Sequence, residues 1–194
     1  MENNYVKFVI VIICFIIAVS PKKSASGKRD AVLLAAALGF TLAADFFLVL
    51  AQNYRIGILV FCFAHLAYIL RFGGKKMLAF APIAIFAPAV YFAVSHNALN
   101  GIALIYAQLF ILSYTSMVIS IKKRKYPFEN NVLIVAGMTL FVLCDISVLI
   151  WNLSEGSGNA HGFAIIAFNA IWLFYVPAQI CLAMSAIDFR TGIQ

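Results

Sequence analysis

VLIVAGMTLFVLCDISVLIW, residues Val132–Trp151, decides how the rest of the chain is read. It contains one charged side chain, Asp145, and it matches the ~20 apolar residues that a helix needs to cross a bilayer. A surface helix of a soluble protein carries charge along one face; this run has no such face. Working outward, the same texture covers the chain. Of 194 residues, 64% are hydrophobic and 11% charged, with a mean hydropathy of +1.00. Soluble domains are roughly half apolar and about a quarter charged, so a soluble globular domain is excluded and an integral membrane protein is expected.

Seven apolar runs can be marked: Tyr5–Ser20, Ala31–Ala51, Ile56–Leu70, Met77–Val94, Gly101–Ile121, Val132–Trp151 and Gly162–Ile187. The third is the shortest and extends by snorkelling of Arg71. Pro82, Pro88 and Pro177 fall within runs and predict kinks, which a packed bundle tolerates. No repeat, low-complexity tract or long linker interrupts them, so residues 1–194 read as a single transmembrane domain. The first run is followed by Lys22, Lys23, Lys28 and Arg29 rather than by a small-residue cleavage site, which favours an uncleaved span over a signal peptide.

The basic residues alternate with the spans. The loops at 21–30, 71–76 and 122–131 are rich in Lys and Arg, and the intervening loops hold only Arg55. With Arg190 in the tail, all fourteen basic residues except Lys7 and Arg55 fall on one side. By the positive-inside rule that side is cytoplasmic. The expected fold is therefore all-α: a polytopic bundle of seven transmembrane helices, N-out and C-in. The net charge of +7 is then a topology signal, and no nucleic-acid partner is expected. Cys14, Cys62, Cys144 and Cys181 lie in apolar runs, with no CxxC or Cys/His spacing for a metal.

Glu2, Asp30, Glu129, Glu155 and Asp188 fall in loops or tails, leaving Asp45 and Asp145 inside apolar runs. A carboxylate at membrane depth is costly and marks a functional site by default, although a buried Asp can also simply bond a neighbouring helix. At ~1.5 Å per residue both lie ~9 Å below the outer ends of their helices. Tyr106, Asn169 and, somewhat deeper, His65 fall near the same level, which predicts a polar layer in the outer half and a water-accessible pocket opening outward. His65 with Tyr68, and Asn169 with Trp172, Tyr175 and Gln179, form stripes at helical spacing. Tyr106, Ser113, Ser116 and Ser120 form another, as does Thr41 one turn from Asp45. Such stripes also serve as interhelical glue, the simpler reading for Ser113–Ser120 and Gln179.

Two carboxylates close together in a low-dielectric pocket supply a general acid beside a general base. Hydrolysis of an acid-labile ether or acetal-like bond needs that pairing; a protonatable Asp also serves a proton-coupled transporter. Neither G-x-S-x-G nor H-E-x-x-H is present, nor a P-loop or G-x-G-x-x-G. The seventh run has no lysine for a Schiff base, which excludes an opsin.

At these residues a resemblance emerges. ALGFTLAADFFLVL (Ala37–Leu50) followed by GILVFCFAHLAYILRF (Gly57–Phe72), then GMTLFVLCDISVL (Gly137–Leu149) and FYVPAQ (Phe174–Gln179), is similar to the YhhN family of lysoplasmalogenases, integral membrane proteins of bacteria among others. The resemblance covers roughly residues 20–186. Ala44 and Cys144 precede the aspartates where the family usually has Gly and Ser, both small; the family is usually drawn with eight spans rather than seven. The resemblance implies hydrolysis of the vinyl-ether bond of a lysoplasmalogen, with Asp45 and Asp145 as the catalytic pair and His65 and Tyr68 as the family's His-x-x-Tyr. It implies no cofactor and no metal, a lysophospholipid substrate drawn from membrane lipid, and a bacterial inner-membrane location. Around the pair, Tyr106, Asn169, Trp172, Tyr175 and Gln179 are candidate substrate-binding residues. Arg55, at the outer start of the third span, is a candidate phosphate partner or equally an interfacial anchor, with the lipid tail running inward past Tyr68, Trp172 and Tyr175. The alternative reading is a small proton-coupled transporter or lipid-binding membrane protein using the same aspartates.

Overall fold

The structure, a computed structural model, describes residues 2–20, 26–95, 98–155 and 161–188, and every regular element among them is helical. In chain order these are α1 (Glu2–Val19), α2 (Lys28–Asp45), a π-helical turn (Phe46–Leu50), α3 (Tyr54–Phe72), a short α4 (Gly74–Leu78), α5 (Ala81–Ser95), α6 (Ala98–Lys122), α7 (Phe128–Glu155) and α8 (His161–Met184). Five segments are long and apolar enough to cross a membrane: Lys28–Leu50, Tyr54–Phe72, Leu99–Lys122, Phe128–Ser154 and Gly162–Met184. In α1 the apolar stretch is the shorter Phe8–Val19.

The fourth apolar run is not one helix. Met77 and Leu78 belong to α4, and α5 starts at Ala81 and spans only 15 residues. The physical reason lies at Pro82, which has no N–H to donate and so is tolerated in the first turn of a helix but not in its interior. Lys22, Lys23 and Arg190, part of the sequence-derived charge asymmetry, lie outside the described residues.

The outer surface is apolar, as a lipid-facing surface must be: Phe86 and Phe163 are each 71% exposed. Helices approach closely where a side chain is absent. A Cβ on Gly137 of α7 would sit 2.7 Å from Leu182 Cγ and 3.2 Å from the Ala178 carbonyl of α8. At Gly57 of α3 it would sit 2.5 Å from the Leu48 side chain and 3.3 Å from the Ala44 carbonyl, beside Asp45. α2 packs on α3, α3 on α6 and α7 on α8, while α1 lies against α2 and α8.

Exposed Lys28, Arg29, Lys75, Lys76 and Lys122–Lys125 mark one end of the bundle as basic. Two residues there differ from the sequence reading. Arg71 is not a loop cation: it lies within α3, fully buried, and its guanidinium meets Asp30 at 3.0 Å. Nor is Asp30 a loop acid, since it is buried in the first turn of α2. Tyr126 donates its single hydroxyl proton to Asp30 Oδ1 (2.8 Å), with the Arg71 carbonyl 3.1 Å from the same phenol oxygen, and Lys125 donates to that carbonyl. Burial, and then the charge of Asp30, raise the Tyr126 phenol above its usual range and keep it a donor. This cluster ties α2, α3 and the 123–127 connection together.

Candidate active site

Each aspartate is held by a tyrosine from a distant helix. Asp45 is the last α-helical residue of α2, immediately before the π turn at Phe46–Leu50, where the Ala51 N–H reaches back to the Phe46 carbonyl at 2.9 Å. Such widened turns often occur at functional sites. Asp45 is buried, and Tyr175 of α8 donates its hydroxyl to Asp45 Oδ2 at 2.5 Å. On the other side Tyr106 of α6 donates to Asp145 Oδ2 of α7 at 2.7 Å. This second pair is only half-buried.

Aromatic rings connect the two pairs. Phe141 meets Tyr175 and His65 edge-on, with centroids 5.8 Å away in each case. His65 in turn lies 5.1 Å from Tyr106 and 4.8 Å from Phe110, and Trp172 packs edge-on against Tyr175 at 5.8 Å. The edge-to-face geometry fixes ring orientation, so the two carboxylates are pointed by a rigid lattice.

The tautomer of His65 follows from its partner. Ser113 has a single hydroxyl proton and gives it to the Phe110 carbonyl at 2.8 Å. Towards His65 Nδ1, at 3.1 Å, Ser113 therefore accepts, so Nδ1 carries the proton and the neutral ring presents Nε2 as an acceptor. That Nε2 is buried without a hydrogen-bond partner. So are Thr41 Oγ1, Tyr68 Oη and both amide atoms of Gln179. A buried polar group left unsatisfied costs about 1–3 kcal/mol; Arg71 Nη1 and Asn131 Oδ1 are in the same state among the described residues.

Of the sequence-derived candidates, Asp45, Asp145, His65, Tyr68, Tyr106, Trp172, Tyr175 and Gln179 thus fall on or next to this lattice. Asn169 does not. Its side chain is exposed. Two successive steps of three residues, from Asn169 to Trp172 to Tyr175, rotate the helix face by roughly 120°, so a stripe that aims Tyr175 inward aims Asn169 out. Arg55 is exposed in the first turn of α3. Asp145 and Tyr106 are half-buried, while Asp45, His65, Tyr68 and Gln179 are sealed. An open apolar groove of about 610 Å3 lies elsewhere, bordered by Leu66, Leu70, Lys75 and Pro82.

The YhhN family model matches residues 3–186. The chain belongs to the YhhN family. No match was found among curated proteins or among solved structures. The match covers all the helices that build the lattice, and α1 from residue 3 on. Within this YhhN protein, the sequence reading missed the Asp30–Arg71–Tyr126 cluster. An Arg closing an apolar run, R-F-G-G at Arg71–Gly74, was the available signal, but its partner is 41 residues away. The Ser stripe is not the interhelical glue expected of it: Ser116 and Ser120 bond their own helix carbonyls, and Ser113 alone reaches across, to His65.

Proposed function

We propose that this protein is a lysoplasmalogenase, hydrolysing the vinyl ether of a lysoplasmalogen to a fatty aldehyde and a glycerophospho-headgroup. The observation that carries the reading is the pair of carboxylates, each held by a tyrosine hydroxyl, on helices linked by one run of aromatic contacts. Vinyl-ether hydrolysis begins with transfer of a proton to the β-carbon, which leaves an oxocarbenium ion. Water adds to that cation and loses a proton, giving a hemiacetal, which collapses to aldehyde and alcohol. Asp45, sealed behind Tyr175, is the acid in this scheme. Asp145, the less buried of the two, is the base that takes the proton of the attacking water and stabilises the cation. The aromatic walls keep other nucleophiles and bulk water from the cation.

The same reading takes the bundle as seven spans, N-out and C-in, in a bacterial inner membrane, with the basic end cytoplasmic. The test is purified protein with a lysoplasmalogen in detergent or lipid. Aldehyde is released, and kcat/KM falls by at least ~100-fold in each of Asp45→Asn and Asp145→Asn. Turnover unchanged in both variants rejects the assignment, and aldehyde absent from the wild type rejects the activity.

A further inference from the structure

Four of the side chains with unpartnered buried atoms fall at neighbouring levels of the bundle. The Asp45–Tyr175 bond sets the register of α2 against α8. One turn toward the basic end, four residues back along α2 and four on along α8, come Thr41 and Gln179. On α3, Tyr68 is the residue three beyond His65 in the same direction. All three are at most 1% exposed, and each presents a hydrogen-bonding atom without a partner, as does His65 Nε2 at the edge of the layer above. The set is mixed in character: Nε2 only accepts, the two hydroxyls donate or accept, and the amide offers both functions. No charged side chain is among them. Such a set matches a neutral hydroxyl rather than a phosphate or an amine.

Resting on the lysoplasmalogenase reading, we infer that Thr41, Tyr68, Gln179 and His65 Nε2 form a pocket for the free hydroxyl on the glycerol backbone of the lysolipid. The scale fits. The pocket lies one turn, ~5 Å along the bundle, from the carboxylates, and in the lipid only the ether oxygen and two glycerol carbons separate the vinyl carbons from that hydroxyl. The lipid therefore lies with its glycerol toward the basic end and its tail leaving on the Asp145–Tyr106 side. Arg71, a turn further on, has a buried Nη1 without a partner, so the phosphate finds a cation in this direction. This pose is the reverse of one in which Arg55 holds the phosphate, and it leaves Arg55 as an interfacial anchor.

The experiment compares a lysoplasmalogen with its 2-deoxy counterpart, which lacks only that hydroxyl. Wild-type protein should favour the parent by about 10- to 100-fold in kcat/KM, because the deoxy lipid leaves buried polar atoms unpaired. The preference should fall toward unity in Gln179→Leu and in Thr41→Val. Equal turnover of the two lipids by the wild type overturns the proposal, as does a preference unchanged in both variants. A binding readout separates this from the chemistry. The saturated 1-alkyl lysolipid, which has no vinyl ether to hydrolyse, should raise the thermal midpoint at about tenfold lower concentration than its own 2-deoxy form. If no aldehyde is released from any lipid, the hydrolase reading fails, while the two alkyl lipids still decide the pocket: a difference supports it and equal shifts reject it.

Discussion

Tyr175 and Asp45, 130 residues apart, meet at 2.5 Å, and the phenol of the last helix orients the carboxylate of the second. Neither residue is exposed, so the bond lies wholly inside the bundle. The bond strengthens as Asp45 gives up its proton, since a hydrogen bond to a charged group contributes about 1.5–3 kcal/mol. Tyr175→Phe should lower kcat/KM about 10- to 100-fold with little change in thermal midpoint. Tyr106→Phe should lower it less, because water can replace the lost donor at half-buried Asp145. Steady-state kinetics with a parallel melting curve check both, and a larger loss in Tyr106→Phe contradicts the ranking.

The buried Arg71–Asp30 pair contributes to stability. Removing one partner leaves the other charge buried, at a cost of about 3–5 kcal/mol. Arg71→Met should therefore lower the thermal midpoint sharply. The double variant Arg71→Met with Asp30→Asn should recover much of that loss, since no uncompensated charge remains. Strictly additive losses would show that the two side chains do not act as a unit.

Gly137 permits the close approach of α7 and α8 that brings Asp145 and Tyr175 onto one lattice. An added methyl would stand 2.7 Å from Leu182 Cγ, so Gly137→Ala should cost about 1–3 kcal/mol through overpacking. Adding Leu182→Ala should relieve the clash at the expense of a cavity. Thermal unfolding of the single and double variants measures the coupling.

Orientation is testable without substrate. Reporter fusions in the 123–127 connection should report the cytoplasm, and fusions in the 51–53 connection the opposite face. A reporter placing the 123–127 connection outside overturns the N-out, C-in arrangement.

The helices and the two aspartates were legible in the sequence because both are local properties. An apolar run declares a span through its length, and a carboxylate inside such a run declares itself by contrast with its neighbours. Rise along the helix axis also placed Asp45, Asp145 and Tyr106 in neighbouring layers, since depth is linear in residue number. The break at Pro82 lay in plain view, but hydropathy alone ran across it and joined Met77–Val94 into one run.

What only the tertiary structure decided is azimuth and partnership. Spacing along α8 could not say that Tyr175 turns toward Asp45 while Asn169 turns out, because successive steps of three drift round the helix. Nor could it say that Asp30 leaves the loop to pair with Arg71, or that a π turn follows Asp45. Those outcomes depend on how helices far apart in the chain pack, where one missing Cβ at Gly57 or Gly137 sets the approach. The sequence by itself determined which groups stand at which depth; the packing of the helices decided which of them meet, because a side chain's direction round its helix axis has meaning only once a neighbouring helix is in place.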